Sequence, residues 1–204
     1  MLQLKRLTVR QVRNHSWKAG GTLYFNRIND RMWQATNRTS EIPTMTLKTG
    51  DRIPEATLAI MGEIGPRNIT SEELFKGRRV VLFGLPGAFT PTCSARHLPG
   101  YLEQADAFSA KGVDTIVCLA VNDVFVMDAW GKQQGVGDKI LMTADGNGEF
   151  VRAAGLELDM RPRGFGLRSQ RYAMVVEDGV VGVLNVEKPG EFEVSDAQTI
   201  LGLL

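Results

Sequence analysis

Cysteine and histidine are scarce in this chain, with two of each in 204 residues: Cys93 and Cys118, His15 and His97. Two thiols are too few for a disulfide framework or for a zinc site built from cysteines alone. The histidines are far apart and form neither an HxH nor an HExxH pattern, so metal chemistry has little to stand on. Long apolar runs are missing too. No stretch approaches the roughly 18 uninterrupted apolar residues of a membrane helix. Nor is there an excess of charge, since the formal net charge is +1. That argues against nucleic acid or an anionic membrane as the main partner. Low cysteine usage suits a reducing compartment, in which thiols serve reactivity or packing.

What charge there is lies unevenly. Residues 1–44 hold eight basic side chains against Asp30 and Glu41, which leaves the remainder with sixteen basic and twenty-one acidic residues, a net of −5. The start is Arg-rich and has no acid before Asp30, the composition of an organellar transit peptide, mitochondrial for example. It lacks the apolar core of a secretory signal. A disordered basic extension and a true start at Met45 are the two other readings. The expected layout is therefore a basic extension over 1–44 and one domain over 45–204.

From Met45 the pattern becomes regular. Ala56–Ile60 reads as a short strand, and Ser71–Gly77 as a capped helical turn that ends at glycine. Arg79–Leu85 and Val113–Val121 are continuous apolar runs with the character of buried central strands. Leu98, Leu102, Ala105 and Phe108 recur near helical spacing, with a kink expected at Pro99-Gly100. Asp123–Gln134 reads as a helix capped by Asn122 or Asp123, with Val126, Trp130 and Gln133 on one side. Lys139–Met142 is a short strand and Gly148–Ala154 a short helix. Tyr172–Glu177 and Val180–Val186 form a hairpin turned at Asp178-Gly179. Strands that alternate with helices and close with a hairpin make a mixed central sheet flanked by helices, an α/β thioredoxin-like layout.

The stretch most suggestive of chemistry is Leu85-Pro-Gly-Ala-Phe-Thr90-Pro-Thr-Cys93-Ser-Ala-Arg-His97-Leu-Pro-Gly-Tyr101. Cys93 follows a loop that leaves a buried strand, and it opens a helix. Unpaired N–H groups and the helix dipole favour an anion there. Such placement makes thiols more acidic than the ordinary value of about 8.5 and so more nucleophilic. Thr90 can aim its hydroxyl at the sulfur, while Pro86 and Pro91 stiffen the loop. The plain alternative is a small core residue, but a junction between prolines belongs on the surface. CxxC exchange is excluded, because Thr90 and Arg96 stand three residues to either side of Cys93.

The block Pro86-x-x-x-Thr90-x-x-Cys93, extended through His97-Leu-Pro-Gly100, resembles the active-site signature of the peroxiredoxins, in its type II or peroxiredoxin-five-like form. The likeness continues through Cys118–Asp123, Phe125–Met127, Trp130-Gly131, Arg168–Val176 and Leu184–Glu187, covering about residues 45–204. It implies a thiol peroxidase for hydrogen peroxide and alkyl hydroperoxides, with no metal, haem or flavin cofactor. Cys93 would be the peroxidatic cysteine, Thr90 and Arg171 its catalytic companions, and Pro86 and Thr92 part of the substrate pocket. Without the resemblance, Arg171 reads as a surface cation on an edge strand. His97 reads as structural, with proton transfer as its alternative. The family also suggests a homodimer, in which exposed Phe89 and the Gly-rich segment before Arg171 would line the contact.

A sulfenic acid on Cys93 needs a thiol to reduce it. Many relatives supply a cysteine near the chain's end, where this sequence reads Glu193-Val194-Ser195. Cys118 is the internal candidate, but it lies among Ile116, Val117, Leu119 and Val121 and reads first as core filler. A disulfide to it would need Cα atoms within about 7 Å and local unfolding. External reduction by glutathione with glutaredoxin is therefore expected, with thioredoxin as the second reductant and the cytoplasm as the first compartment. Two other classes compete: a thiol–disulfide oxidoreductase, and a redox sensor or holdase on the same fold. Asp145–Glu149 is a turn into a helix rather than a calcium loop. Gly164-Phe-Gly166 is a flexible loop near the site.

Overall fold

The structure, a computed structural model, describes residues 46–204. The three readings of residues 1–44, the start at Met45 and His15 lie outside the described residues. Among the described residues no helix is long and apolar enough to cross a membrane.

The chain opens with a hairpin, β1 (Thr57–Gly62) and β2 (Gly65–Thr70), followed by α1 (Ser71–Phe75). Thr70 and Glu73 close α1 with a reciprocal capping box. Next come β3 (Arg79–Leu85), the loop from Pro86 and a π-helical stretch Cys93–His97 that runs on into α2 (Leu98–Glu103). After α3 (Ala105–Ala110) follow β4 (Thr115–Ala120), α4 (Val124–Gln134), β5 (Leu141–Ala144) and α5 (Glu149–Ala153). A small antiparallel pair, β6 (Glu157–Asp159) and β7 (Leu167–Ser169), precedes β8 (Tyr172–Glu177), β9 (Val180–Val186) and α6 (Ala197–Gly202).

Seven strands form one sheet in the order β2-β1-β5-β4-β3-β8-β9. β3, β4 and β5 are parallel, and both flanks are antiparallel hairpins. The β8–β9 turn is the expected one: Asp178 and Gly179 both take left-handed φ, +47° and +77°, as a two-residue primed turn demands.

Alternation along β3 divides the core. Val81, Phe83 and Leu85 face α2, α3, α4 and α6 through Leu98, Tyr101, Phe108, Met127, Trp130 and Ile200. Val80 and Leu82 face α1 and α5 through Leu74, Phe75, Phe150 and Val151. Cys93 and Cys118 both belong to the first of these layers.

Two local expectations are corrected. The helical run after Cys93 does not break at Pro99-Gly100. Pro99 follows directly on the π-helical stretch, whose wider turn accommodates the missing N–H within a continuous helix, and the interruption falls at Gln104. The inner face of α4 is Val124, Met127, Trp130 and Gly131, with Gln133 exposed, because the buried stripe starts at the first helical residue. Asp123 is the cap, accepting from Phe125 and Val126 N–H.

Candidate active site

Cys93 is fully buried, which overturns the expectation of a surface thiol. The loop from Pro86 does reach the surface at Phe89, 52% exposed, and then folds back under itself. Phe89 takes a left-handed φ of +62°, uncommon for a residue with a side chain. Its ring leans toward Trp130, 6.4 Å away between centroids. Helix bonding then starts with Ser94 N–H to the Thr90 carbonyl at 3.0 Å, so the N–H groups of Thr92 and Cys93 precede the first bonded turn. The first turn is thus packed under the loop, and its cysteine goes inside.

Two polar anchors hold the loop. Ala88 N–H donates to Asn122 Oδ1 at 3.0 Å. Arg168 Nη1 reaches the carbonyls of Pro86 and Val121, each at 3.5 Å, and Asn122 Oδ1 at 3.4 Å. A Cβ on Gly87 would stand 2.8 Å from that same nitrogen, so only glycine lets the guanidinium come so close. In the sequence Arg168 stands out only as part of a longer matching block, and Asn122 only there and as a candidate helix cap. Their contacts to the loop have no local signal, since their partners lie 34 to 82 residues away.

The structure brings Arg171 to Cys93, with Nη1 3.5 Å from Sγ. Arg171 is not an outward edge cation, because β8 lies inside the sheet and its first residue, Tyr172, is fully buried. Thr90 is placed differently from the expectation. Its hydroxyl donates to the Gly87 carbonyl at 2.8 Å, closing the turn rather than addressing the sulfur. Pro86 and Thr92 are half-buried on the same loop. A cleft of about 970 Å³ near Arg52, Thr70 and Asp178 contains none of these residues.

His97 is fully buried one helical turn beyond Cys93. Its Nδ1 lies 3.0 Å from Arg171 Nη1 and its Nε2 3.2 Å from the Ser195 carbonyl. Burial first, and then the Arg171 charge, push the imidazole down to about 3, so the ring is neutral. Phe192 covers the outside, 4.9 Å from the His97 ring and 5.5 Å from the Arg171 guanidinium.

Cys118 sits in mid-strand on β4, opposite Phe83. It is fully buried, and burial, with Cys93 nearby, pushes its thiol well above the ordinary range.

Residues 48–201 match the Redoxin family model. Peroxiredoxin-2E-2, chloroplastic, of Oryza sativa is 49% identical over 78% of this chain and 73% of its own. Hybrid peroxiredoxin hyPrx5 of Haemophilus influenzae is 44% identical over 78% and 67%. Among solved structures, reduced Prx3 of Vibrio vulnificus in complex with hydrogen peroxide superposes with a TM-score of 0.75 at 52% identity, over 78% of this chain and 99% of that one.

Proposed function

The chain belongs to the redoxin family as a type II, peroxiredoxin-five-like peroxiredoxin and is a thiol-dependent peroxidase; from that premise we propose that Cys93 carries the reaction, with Arg171 and Thr90 as its partners. The observation that carries this reading is the guanidinium held 3.5 Å from a buried sulfur at a helix start. Coulomb attraction between a thiolate and a cation at that distance is of order 4–5 kcal/mol at an effective dielectric near 20. A helix terminus supplies about 0.3–2 kcal/mol. Arg171 is therefore the main stabiliser of the anion against its burial.

The thiolate attacks the terminal oxygen of a hydroperoxide. An S–O bond forms as the O–O bond breaks, sulfur loses two electrons, and the departing alkoxide or hydroxide takes a proton from water. The products are the Cys93 sulfenic acid and an alcohol or water. Arg171 stabilises the negative charge that develops on the departing oxygen. Thr90, whose proton is committed to Gly87, offers its oxygen lone pairs to the O–H of the peroxide. The Thr92 and Cys93 N–H groups, together with Pro86, shape the pocket for the two oxygens.

A thiol reductant completes the cycle, and we assign that step to glutathione with glutaredoxin, with thioredoxin as the runner-up. The burial of Cys118 in mid-strand supports reduction from outside the chain. The exposed rings of Phe89, Phe125 and Phe165 suit a homodimer contact. The body over 45–204 acts as the catalytic unit, with the basic residues 1–44 as an extension. The cytoplasm is the first compartment, with an organelle instead if that extension is a transit peptide.

The test is stopped-flow peroxide reduction by wild type, Cys93→Ser and Arg171→Ala. Loss of activity in the first and a large loss in the second are expected. A Cys93→Ser protein that still consumes peroxide at the wild-type rate would remove the reading.

A further inference from the structure

Glu187, just past the end of β9, is buried, and a single oxygen of its carboxylate takes four hydrogen bonds. Its Oε1 accepts from the N–H groups of Glu193, Val194 and Ser195 and from the Ser195 hydroxyl, each at 2.8 Å. Burial works to raise this carboxyl, but the donors outweigh it and hold the group below the usual range. An ionised buried carboxylate persists only with such compensation. The bonds fold residues 187–195 into a fixed loop and aim the Ser195 carbonyl at the active-site helix. There it accepts from Tyr101 O–H at 2.9 Å and faces His97 Nε2 at 3.2 Å.

These contacts determine the histidine tautomer. A carbonyl can only accept, so Nε2 carries the proton and Nδ1 presents its lone pair. A guanidinium can only donate, so Arg171 Nη1 gives one N–H to Nδ1 at 3.0 Å. The same nitrogen has a second N–H, and Cys93 Sγ lies 3.5 Å from it. One amino group is thus shared between imidazole and sulfur. The ring itself is wedged among Phe83, Tyr101 and Phe192. The titratable and charged groups around this cluster are Arg171, Cys93 and Tyr101, with Cys118 near Cys93, Asp196 and Glu187 near Tyr101, and Arg96 beyond Phe192.

We propose that His97 is a positioning residue which, anchored by the Ser195 carbonyl, turns Arg171 Nη1 toward the Cys93 sulfur, so that the loop latched by Glu187 sets the peroxidase rate without touching substrate. Proton relay by His97 does not fit. Its single N–H points at a carbonyl, and its lone pair is engaged by a cation. The inference rests on the part given to Arg171 above and extends it to residues from the end of the fold.

The two amide replacements separate the two nitrogens. In His97→Asn the amide reaches the place of Nδ1 and keeps an acceptor for Arg171. In His97→Gln it reaches the place of Nε2 and keeps only the Ser195 contact. Expected is a fall in the rate of peroxide reduction of about ten- to a hundredfold for His97→Gln, the size of one lost hydrogen bond to a charged group. The acid limb of its pH–rate profile should also move to higher pH. His97→Asn should recover all but the several-fold that the lost Ser195 anchor contributes, a rate close to that of Glu187→Gln. In an Arg171→Ala background, His97→Gln should cost roughly twofold or less, because a residue that acts through another adds nothing once that other is gone. Glu187→Gln should slow the reaction several-fold, and it carries the test with His97→Asn if His97→Gln fails to fold. Equal losses in the Asn and Gln variants, or an undiminished His97→Gln effect without Arg171, would overturn the inference. So would a His97→Gln protein at the wild-type rate beside a slow Arg171→Ala. An Arg171→Ala protein at the wild-type rate would instead overturn the part given to Arg171.

Discussion

The ring of Tyr172 lies against the backbone of Gly84, its direct partner across β3 and β8. A Cβ at position 84 would stand 2.2 Å from the tyrosine ring, which no small shift accommodates. Arg171 is the residue just before Tyr172, so this contact also positions the start of β8 beside the helix of Cys93. Gly84→Ala is expected to destabilise the protein by about 1–3 kcal/mol, as overpacking does. The melting temperature should fall by several degrees, at about 2–4 °C per kcal/mol. Peroxidase activity should fall more than unfolding alone explains.

Arginine at 171 is more than a positive charge. Nη1 serves both His97 and Cys93, and a lysine ammonium lacks the planar fork that holds this orientation. Arg171→Ala should slow peroxide reduction by about a hundredfold or more, the scale of a lost charge-stabilising donor. Arg171→Lys should regain only part of it. Second-order rate constants from stopped-flow fluorescence check both.

Stability should fall on mild acidification, and His97 is the cause. Its folded value is about 3 against 6.5 unperturbed, so the unfolded chain binds the extra proton between those limits. Stability then rises with pH across that window and is lost as pH falls through it. From pH 7 to pH 5 the loss from this group is about 2 kcal/mol. Glu187 is displaced in the same direction, below the carboxylate value of 4.5, so its contribution is also lost on acidification, but at lower pH than that of His97. Urea midpoints at pH 7 and pH 5 test this, and His97→Asn should flatten the difference.

Cys118 should stay reduced while Cys93 is oxidised. Mass spectrometry of protein treated with one equivalent of peroxide, with no reductant, should show the sulfenic acid of Cys93 or its further oxidation products. It should show no bond between the two cysteines. Cys118→Ala should turn over with glutathione and glutaredoxin at close to the wild-type rate, although the cavity it leaves lowers stability. A stable intramolecular disulfide would replace this scheme with a two-cysteine cycle.

Elements whose signals are local were legible in the sequence. β3 announces itself as an apolar run, α4 by its Asp123 cap, and the β8–β9 hairpin by Asp178-Gly179. β2 was not legible. Gly65-Pro-Arg-Asn has no apolar alternation because this edge strand pairs only with β1 and is mostly exposed. The signature loop pointed to Cys93, but its burial is a product of tertiary packing, made by the loop folding back and by Arg171 from 78 residues away. The Thr90 rotamer was missed because the Gly87 carbonyl is a nearer acceptor than any sulfur contact the spacing suggests. Ser195 was noticed only for the cysteine it is not. Its carbonyl meets His97 across 98 residues, a separation at which sequence carries no pattern.

That span has a consequence for the newly made chain. The groups around the sulfur come from the loop after β3, from Asn122, from Arg168 and Arg171, and from the Glu187–Ser195 loop. A nascent polypeptide that has passed Cys93 but not yet released residue 195 from the ribosome carries an unassisted thiol. On the roles proposed for Arg171 and the Glu187–Ser195 loop, sensitivity of Cys93 to oxidant is expected only once the fold is complete, so that the cysteine is spared while it could not yet be recycled.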